Sequence, residues 1–427
     1  MKTDEDVKRR FNRAQWRFII CSMIAYAFFY VTRKNLSMAQ PGMLEEGVIS
    51  TYALGTIMTV HGVLYGCSRF VNGFWADRLN GRVFMTIGLA LSALMNFLFG
   101  CTSLSILFAV FWIANGWTQG MGFPPCAKML THWIHPKELA TKMSIWNTSH
   151  SFGSVLALGI CTLLLAGKFG WRWCFYVPAA LAGLAAVFCF FFVKDGPGEA
   201  GLEELDLSDV RGGDEPSERR VVTDAERRRL VFTNRVIWLC ALANFSVYVV
   251  RFGFLDWGPT FLKEYKGISV EKGGLMIIAF ELAAVVGTIF AGWVTDKFFA
   301  GRGVRTCVIC MLMAGLCALG FWWLPATAAP WQGTLLLMGT GFFIYGPQAL
   351  IGITAAQQAT NDAAAMANGF MGIMGYAATT VSGYGVALIS DEYGWNAALF
   401  TIGAFALVGM VLFLFAWNAS ATGYGKK

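Results

Sequence analysis

Long apolar stretches of about 20 residues alternate with short polar segments along most of this 427-residue chain. A helix rises ~1.5 Å per residue, so a stretch of this length crosses the ~30 Å hydrocarbon core of a bilayer. The pattern predicts an all-α membrane protein with twelve transmembrane helices. We place them at residues 16–40, 52–75, 82–100, 104–129, 139–166, 171–193, 232–262, 271–297, 304–324, 331–357, 363–390 and 395–417.

Composition agrees with this pattern. Hydrophobic residues make up 56% of the chain and charged residues 14%, whereas an ordinary soluble domain carries roughly 25% charged residues. Most of the 33 Lys and Arg residues lie in the amino-terminal tail and in alternate loops, which predicts that both termini are cytoplasmic. The tail lacks the apolar region of a signal peptide, so we expect it to be retained. The net charge of +7 follows from this topology and indicates no nucleic acid partner.

A charged segment divides the predicted helices into two sets of six. Residues 194–231 are rich in glycine, proline and arginine, a composition typical of a solvated linker. We therefore predict an amino-terminal six-helix bundle at 1–193, a cytoplasmic linker at 194–231 and a carboxy-terminal six-helix bundle at 232–427.

The two predicted bundles repeat each other. Asp77 and Arg33 have counterparts in Asp296 and Arg251, each about 220 residues further along the chain. Parallel repeats related by an axis along the membrane normal are the internal symmetry of major facilitator transporters. The expected fold is therefore a pair of pseudo-symmetric six-helix bundles.

The segment GFWADRLNGR at 73–82 resembles the signature between the second and third helices of that superfamily. We expect Asp77 to accept hydrogen bonds from a neighbouring helix end, with Arg78 and Arg82 as cytoplasmic partners. The second copy, at Asp296, favours a gating latch over a charged turn without a gating role.

Four basic residues fall inside predicted spans: Arg33, Lys34, Arg69 and Arg251. An arginine at the centre of a membrane helix costs ~3 kcal/mol on insertion scales, so it is expected to face the protein interior. Arg33 and Arg251 lie at similar predicted depths, one in each half. Guanidinium groups bind phosphate or carboxylate through two parallel hydrogen bonds, so the pair favours a site for a multiply charged anion.

Internal ion pairing is the alternative role for these charges. Asp256 and Glu281 are the acids at comparable predicted depth, and four basic residues exceed two acids. We therefore favour an anion site. No nucleophile with a neighbouring base indicates an enzyme, and no metal site, cofactor motif or ATP-binding motif is evident.

Tyrosines and one histidine accompany the basic residues. Tyr26, Tyr30 and Arg33 are spaced along one helix face, and Tyr65 precedes Arg69 by one turn. For each tyrosine, packing within a bundle is as good an explanation as hydrogen bonding to an anion. The histidine is either a hydrogen-bonded strut or a group that titrates near neutrality. The candidates are Tyr26, Tyr30, Tyr65, Tyr248, Tyr376 and His150.

Several motifs resemble the organophosphate:phosphate antiporter family, which includes glycerol-3-phosphate and hexose-phosphate transporters. They are AYAFFYVTRKN (25–35), GWTQGMGFPPC (116–126), WNTSH (146–150), VYVVRFGFLDW (247–257), FFIYGPQALIG (342–352) and GFMGIMGY (369–376). The resemblance implies that the protein exchanges an organic phosphate for inorganic phosphate by alternating access. The cargo would be glycerol-3-phosphate, phosphoglycerate or hexose-6-phosphate, and the location a bacterial cytoplasmic (inner) membrane.

The same resemblance implies roles for individual residues. Arg33 and Arg251 would bind the phosphate, with Lys34 and His150 nearby, and the candidate tyrosines match those that line the family's binding site. Asp256 and Glu281 would exchange salt bridges with basic groups as phosphate binds. This chain departs from the YGxSK motif of the glycerol-phosphate transporters because it carries Arg69 in YGCSR, a planar fork instead of a point charge.

Two other functions remain open. The family also contains transporter-like sensors of sugar phosphates that signal to a partner kinase, and YAFFYVTRKN and WNTSH resemble their motifs too. A carrier of sugar acids would require the arginines to accept a single negative charge.

Overall fold

The computed structural model describes residues 4–134, 142–143, 145–203, 223–325 and 328–419. Its regular secondary structure is helical throughout these residues. The α-helices are α1 Asp4–Glu45, α2 Thr51–Arg78, α3 Gly81–Cys101, α4 Ser105–Gln119, α5 Phe123–Trp133, α6 Ser149–Ala166, α7 Trp173–Phe192, α8 Asp224–Phe232, α9 Arg235–Glu264, α10 Val270–Phe299, α11 Gly303–Trp323, α12 Pro330–Ala377 and α13 Val386–Phe415.

Nine stretches of the described chain are long and apolar enough to cross a membrane. The longest, Met366–Phe415, has 50 residues, which is sufficient for two crossings at ~20 residues each. The chain is therefore a multi-pass integral membrane protein. The count of twelve crossings stays a prediction.

Two local breaks differ from the predicted spans. The span predicted at 104–129 is two helices, because α4 ends at Gln119 and α5 begins at Phe123. Pro124 and Pro125 lie in the first turn of α5, where the backbone donors that they lack would have no helical partner. The loop expected at 73–82 is shorter than predicted, since Arg78 ends α2 and Gly81 begins α3.

The carboxy-terminal spans are also joined differently. Helix α12 continues through the break predicted at 358–362. The break predicted between 390 and 395 is present at Gly394, where φ is +80°. This backbone conformation favours glycine because it has no Cβ. A π-helical segment, Thr380–Gly385, separates α12 from α13.

The chain divides into two compact units. Unit 1 comprises residues up to 35, 64–160 and 172–220, and unit 2 comprises 36–63, 161–171 and the remainder from 221. The predicted division by a linker at 194–231 stays a prediction, and residues 204–222 of that linker lie outside the described residues.

Each unit has its own packing. In unit 1, α3 packs against α4, α5 and α7, and Phe99 stacks on Phe175 with ring centroids 4.4 Å apart. In unit 2, α9 packs against α12 and α13, and α10 packs against α12. A Cβ at Gly287 would lie 1.8 Å from the Phe342 carbonyl oxygen, so α10 and α12 approach closely only because this position is glycine.

Candidate functional site

Arg33 lies on α1 in unit 1 and is half-buried. Its guanidinium carbon Cζ lies 4.1 Å from the ring centroid of Tyr65 and 5.7 Å from that of Tyr30. Aromatic faces stabilise a guanidinium through cation–π attraction worth roughly 0.5–2 kcal/mol. The structure therefore brings Tyr65 of α2 to the face of α1 on which the sequence placed Tyr30 and Arg33.

An aromatic cluster extends from Arg33 along α1. The ring centroid of Tyr30 lies 5.7 Å from the ring centroid of Tyr26 and 5.6 Å from that of His150. Helix α6, which carries His150, comes close to α1 because Gly153 has no side chain: a Cβ there would lie 2.4 Å from the Ala27 carbonyl oxygen. The predicted grouping of these two tyrosines with the histidine is present in the fold of unit 1.

Arg69 adds a second arginine to the same cluster. Its Cζ lies 3.9 Å from the ring centroid of Phe123, and that ring packs against Tyr26 at 6.3 Å. Gly120 allows the end of α4 to approach α2, since a Cβ there would lie 2.8 Å from the Arg69 backbone nitrogen. Lys34, next to Arg33 on α1, is 4% exposed. Unit 1 thus concentrates three basic residues within membrane helices.

Arg251 occupies the corresponding position in unit 2. It lies on α9, is 5% exposed, and its Cζ is 4.6 Å from the ring centroid of Tyr345. The ring centroid of Tyr248, one turn earlier on α9, lies 5.9 Å from the same Cζ. The Tyr248 ring packs against Tyr376 of α12 at 5.8 Å. Of the two candidate tyrosines of this half, Tyr248 therefore lies beside Arg251 and Tyr376 contacts Tyr248.

A buried acid lies in the same region of unit 2. The Tyr345 hydroxyl donates a hydrogen bond of 2.7 Å to Oε1 of Glu281, and Glu281 is fully buried on α10. Tyr345 thus contacts Arg251 with its ring and Glu281 with its hydroxyl. Burial of an ionised carboxylate is costly without such partners.

Sequence reasoning did not select Tyr345. It lies within the motif FFIYGPQALIG, and that motif was the available signal. Among so many aromatic residues in apolar spans, only the packing of α12 against α10 and α9 distinguishes this tyrosine.

The remaining candidates lie on α2, α9 and α10. Asp256 is half-buried, slightly more than one turn after Arg251 on α9. Arg78 and Asp296 are exposed at the ends of α2 and α10. The Asp77 side chain lies outside the described residues. The gating latch therefore stays a prediction.

The family of the chain is evident from comparison with known proteins. Residues 22–383 match the model of the Major Facilitator Superfamily. The chain is 34% identical to a probable hexose phosphate transport protein of Chlamydia pneumoniae, over 98% of this chain and 95% of the relative. It is also 34% identical to the glycerol-3-phosphate transporter of Bacillus subtilis, over 97% and 95%.

A sensor and a solved structure are also similar. The chain is 31% identical to the membrane sensor protein UhpC of Escherichia coli, over 98% of this chain and 96% of the relative. A bacterial homologue of the human lysosomal transporter Spinster, solved in an inward-facing and unoccupied conformation, matches with a TM-score of 0.80. It covers 97% of this chain and 99% of the solved chain at 13% identity, so it supports the fold alone. The resemblance recognised in the motifs is confirmed, and the chain belongs to the Major Facilitator Superfamily, in the branch of these organic-phosphate transporters and sensors.

Proposed function

We propose that the protein carries an organic phosphate across the membrane in exchange for inorganic phosphate. The observation that carries the proposal is the pair Arg33 and Arg251, one in each unit, each within a membrane helix and each beside tyrosine rings. Guanidinium groups suit the several oxygens and double charge of a phosphate better than a single carboxylate. The names of the relatives, which include a hexose phosphate and a glycerol-3-phosphate transporter, support phosphate esters as cargo.

Each candidate residue has a role in this proposal. Arg33 and Arg251 bind phosphate oxygens, and Lys34 and Arg69 add positive charge. The neutral side chains donate hydrogen bonds to the cargo or hold the arginines in place. They are Tyr26, Tyr30, Tyr65, Tyr248, Tyr345, Tyr376 and His150. Glu281, through Tyr345, competes with phosphate for Arg251, and Asp256 contributes a second negative charge.

The charges also give a reason for obligatory exchange. Uncompensated positive charge at bilayer depth is costly, so the empty carrier changes conformation slowly. A bound phosphate offsets that charge and allows the change. Alternating access then requires cargo in both directions, and the phosphate gradients supply the energy. Asp77, Arg78 and Asp296 form the latch that opens in each cycle.

We place the protein in a bacterial cytoplasmic membrane with both termini in the cytoplasm. The distribution of Lys and Arg residues supports this orientation. The linker, with the basic residues at its end, then also lies in the cytoplasm.

A sugar-phosphate sensor is the second candidate function. The 31% identity to a membrane sensor protein over nearly the full chain favours it specifically. A sensor of this kind binds the ester, moves little cargo and contacts a partner kinase.

Exchange in proteoliposomes tests the proposal. Vesicles are loaded with radiolabelled phosphate, and efflux is measured after adding glycerol-3-phosphate, 3-phosphoglycerate or glucose-6-phosphate outside. We expect one ester to drive efflux, and Arg251→Ala to abolish it. Arg172→Ala is the matched control, since Arg172 is half-buried, is not among the candidate residues and donates to Ser103 Oγ at 2.7 Å. Binding of an ester without any efflux would contradict the antiporter and favour the sensor.

A further inference from the structure

Behind Arg33, unit 1 contains a buried cluster of neutral polar side chains. Helices α1, α3 and α4 contribute two residues each, and each of the six is at most 3% exposed. We call this group the amide cluster. Its members are Thr32, Asn35, Ser92, Asn96, Asn115 and Gln119.

Three amides of the cluster, those of Asn35, Asn96 and Gln119, each donate two hydrogen bonds. Asn96 Nδ2 donates to the carbonyl oxygens of Thr32 and Ser92, at 2.9 and 3.0 Å. Gln119 Nε2 donates to the hydroxyl oxygens of Thr32 and Ser92, at 3.1 and 2.8 Å. Asn35 Nδ2 donates to Asn96 Oδ1 and to the Cys174 carbonyl, both at 2.8 Å. Because each of these amides has two N–H groups directed at acceptors, its orientation is determined by its surroundings.

Thr32 is the centre of the cluster. Its carbonyl oxygen accepts from Asn96 Nδ2 at 2.9 Å and from Asn115 Nδ2 at 3.0 Å. Its hydroxyl is 3.0 Å from Ser92 Oγ, and Ser92 Oγ donates in turn to Asn115 Oδ1 at 2.5 Å. Two side chains from different helices therefore hold one peptide group of α1. This arrangement restricts both the rotation of α1 about its axis and its height at this residue.

Arg33 is the next residue after that peptide group. Consecutive residues are rotated by ~100° about a helix axis, so the cluster contacts one side of α1 while Arg33 points to another, over Tyr65. A change in the rotation or height of α1 at Thr32 would move the guanidinium directly. Stability alone does not require polar groups here, because apolar side chains of similar volume also fill a buried site.

Unit 2 has no equivalent of this cluster at the matching positions of α9. The residue before Arg251 is Val250, and the residue two after it is Gly253, where unit 1 has Thr32 and Asn35. Gly253 instead receives the side chain of Ile402, whose Cδ1 would lie 2.8 Å from an added Cβ. At these two positions the described part of α9 therefore lacks the polar side chains that α1 contributes to the amide cluster.

We infer that Asn96 and Asn115 are positioning residues for Arg33: by holding the Thr32 carbonyl, they set the position at which its guanidinium meets phosphate. The inference rests on the proposed function, because it requires Arg33 to bind the cargo. Neither asparagine contacts the cargo in this proposal.

The test compares Asn96→Leu, Asn115→Leu and the double variant with the wild type, using inorganic phosphate as the probe. Phosphate–phosphate exchange in proteoliposomes gives KM and maximum rate, and thermal unfolding of the purified full chain in detergent reports folding. Mispositioning of Arg33 raises KM, which we expect to increase about tenfold in Asn115→Leu. A merely structural defect lowers the number of active molecules, and hence the maximum rate, but leaves KM unchanged.

Two further variants keep the test decisive. Gln15→Met is the matched control: Gln15 is a buried amide about five turns earlier on α1 that donates to the Trp133 carbonyl, and we expect it to leave KM unchanged. Ser92→Ala is milder than the leucine variants. It removes the hydroxyl that orients Asn115, and we expect KM to rise about threefold in a protein that folds.

The outcomes separate the inference from the proposed function. Arg33→Lys is combined with Asn115→Leu, and if the asparagine acts through Arg33, the second substitution adds little to the increase in KM. A KM within twofold of wild type in folded Asn115→Leu, an equal increase in Gln15→Met, or full additivity with Arg33→Lys would overturn the inference alone. Wild-type KM in Arg33→Lys itself would instead overturn the assignment of Arg33 as a phosphate-binding residue, and the inference with it.

Discussion

Arg33 and Arg251 are both arginines within membrane helices, but different groups surround and orient them. Arg33 is half-buried over two tyrosine rings, and neutral amides and hydroxyls fix the helix behind it. Arg251 is almost fully buried, and its nearest ring, Tyr345, is hydrogen-bonded to the buried carboxylate of Glu281. Neutral amides and hydroxyls therefore orient Arg33, whereas Arg251 is linked through Tyr345 to the opposite charge of Glu281.

This difference predicts that the two arginines have different roles in binding and releasing phosphate. A neutral cluster changes no charge, so Arg33 keeps a constant attraction for an anion. A carboxylate reached through Tyr345 offers Arg251 an alternative partner whenever the anion leaves. Unit 1 would therefore determine how strongly phosphate is attracted, and unit 2 would determine how readily it is released.

Removal of each arginine should produce the largest effects and separate the two sites. We expect Arg33→Ala and Arg251→Ala each to reduce phosphate exchange at least a hundredfold. Only Arg251→Ala should also destabilise the fold strongly, by ~3–5 kcal/mol, because loss of one partner leaves a buried charge uncompensated. Thermal unfolding of both variants measures this difference. Adding Glu281→Gln to Arg251→Ala should restore stability without restoring exchange. Equal unfolding temperatures for Arg33→Ala and Arg251→Ala would contradict the proposed difference between the two sites.

Glu281→Gln alone tests the competing acid. The amide oxygen still accepts from Tyr345, but the negative charge is lost. We expect phosphate to bind about tenfold more tightly, because an opposite charge near Arg251 no longer offsets its attraction for the anion. The maximum rate of exchange should fall, because release becomes slower. Binding titrations and exchange rates measure the two effects, and a weaker affinity for phosphate would argue against competition at Arg251.

Glycine substitutions test how firmly each site is held by its neighbouring helix. A Cβ at Gly153 would lie 2.4 Å from a backbone oxygen of α1, whereas a Cβ at Gly375 would lie 3.0 Å from the side chain of Asn244. The backbone of α1 moves aside less easily than a side chain does. Gly153→Ala should therefore lower the free energy of unfolding by ~1–3 kcal/mol, and Gly375→Ala should lower it by less. Chemical unfolding of both variants provides the measurement.

Gly159→Ala and Gly369→Ala are the matched controls, since nothing lies within 4 Å of a Cβ at either position. Destabilisation by the controls as great as by Gly153→Ala would indicate a general intolerance of alanine in these helices.

A further prediction concerns the ring beneath Arg33. Tyr65→Leu removes a cation–π contact of ~0.5–2 kcal/mol, so the affinity for phosphate should change by a few-fold to about thirtyfold. Tyr65→Phe keeps the ring and should remain close to wild type, unless the hydroxyl itself binds phosphate. Phosphate-binding titrations distinguish the two contributions. A loss in Tyr65→Phe equal to that in Tyr65→Leu would indicate that the hydroxyl, and not the ring, is important.

The membrane class and the arginines were predictable from sequence because a charge within an apolar run is conspicuous. The family was equally accessible, since motifs such as VYVVRFGFLDW retain the arginine and its aromatic neighbours together. Tyr345 was not predictable, because a tyrosine in an apolar span has the same pattern whether it packs or binds. Asn96 and Asn115 were missed for a related reason: their significance depends on the neighbouring helix, and periodicity along one helix does not identify its neighbours.

The positions of the helix breaks were also only partly predictable from the sequence. Within the single span predicted at 104–129, the structure places a break before Pro124 and Pro125, because proline is well accommodated in the first turn of a new helix. At 358–362 a polar sequence suggested a loop, yet the backbone of α12 continues as helix.

The amide cluster has a consequence for how the protein is made. Its members extend from Thr32 to Gln119, so the third and fourth helices enter the bilayer carrying amides whose partners lie on the first. Lipid offers these groups no hydrogen bonds, and all of them are satisfied only when α1, α3, α4 and α7 have come together. We therefore expect the amino-terminal helices to assemble cooperatively during synthesis. A chain that stops before α7 would lack the Cys174 carbonyl, which accepts from Asn35 Nδ2, and would present an unsatisfied amide to membrane quality control.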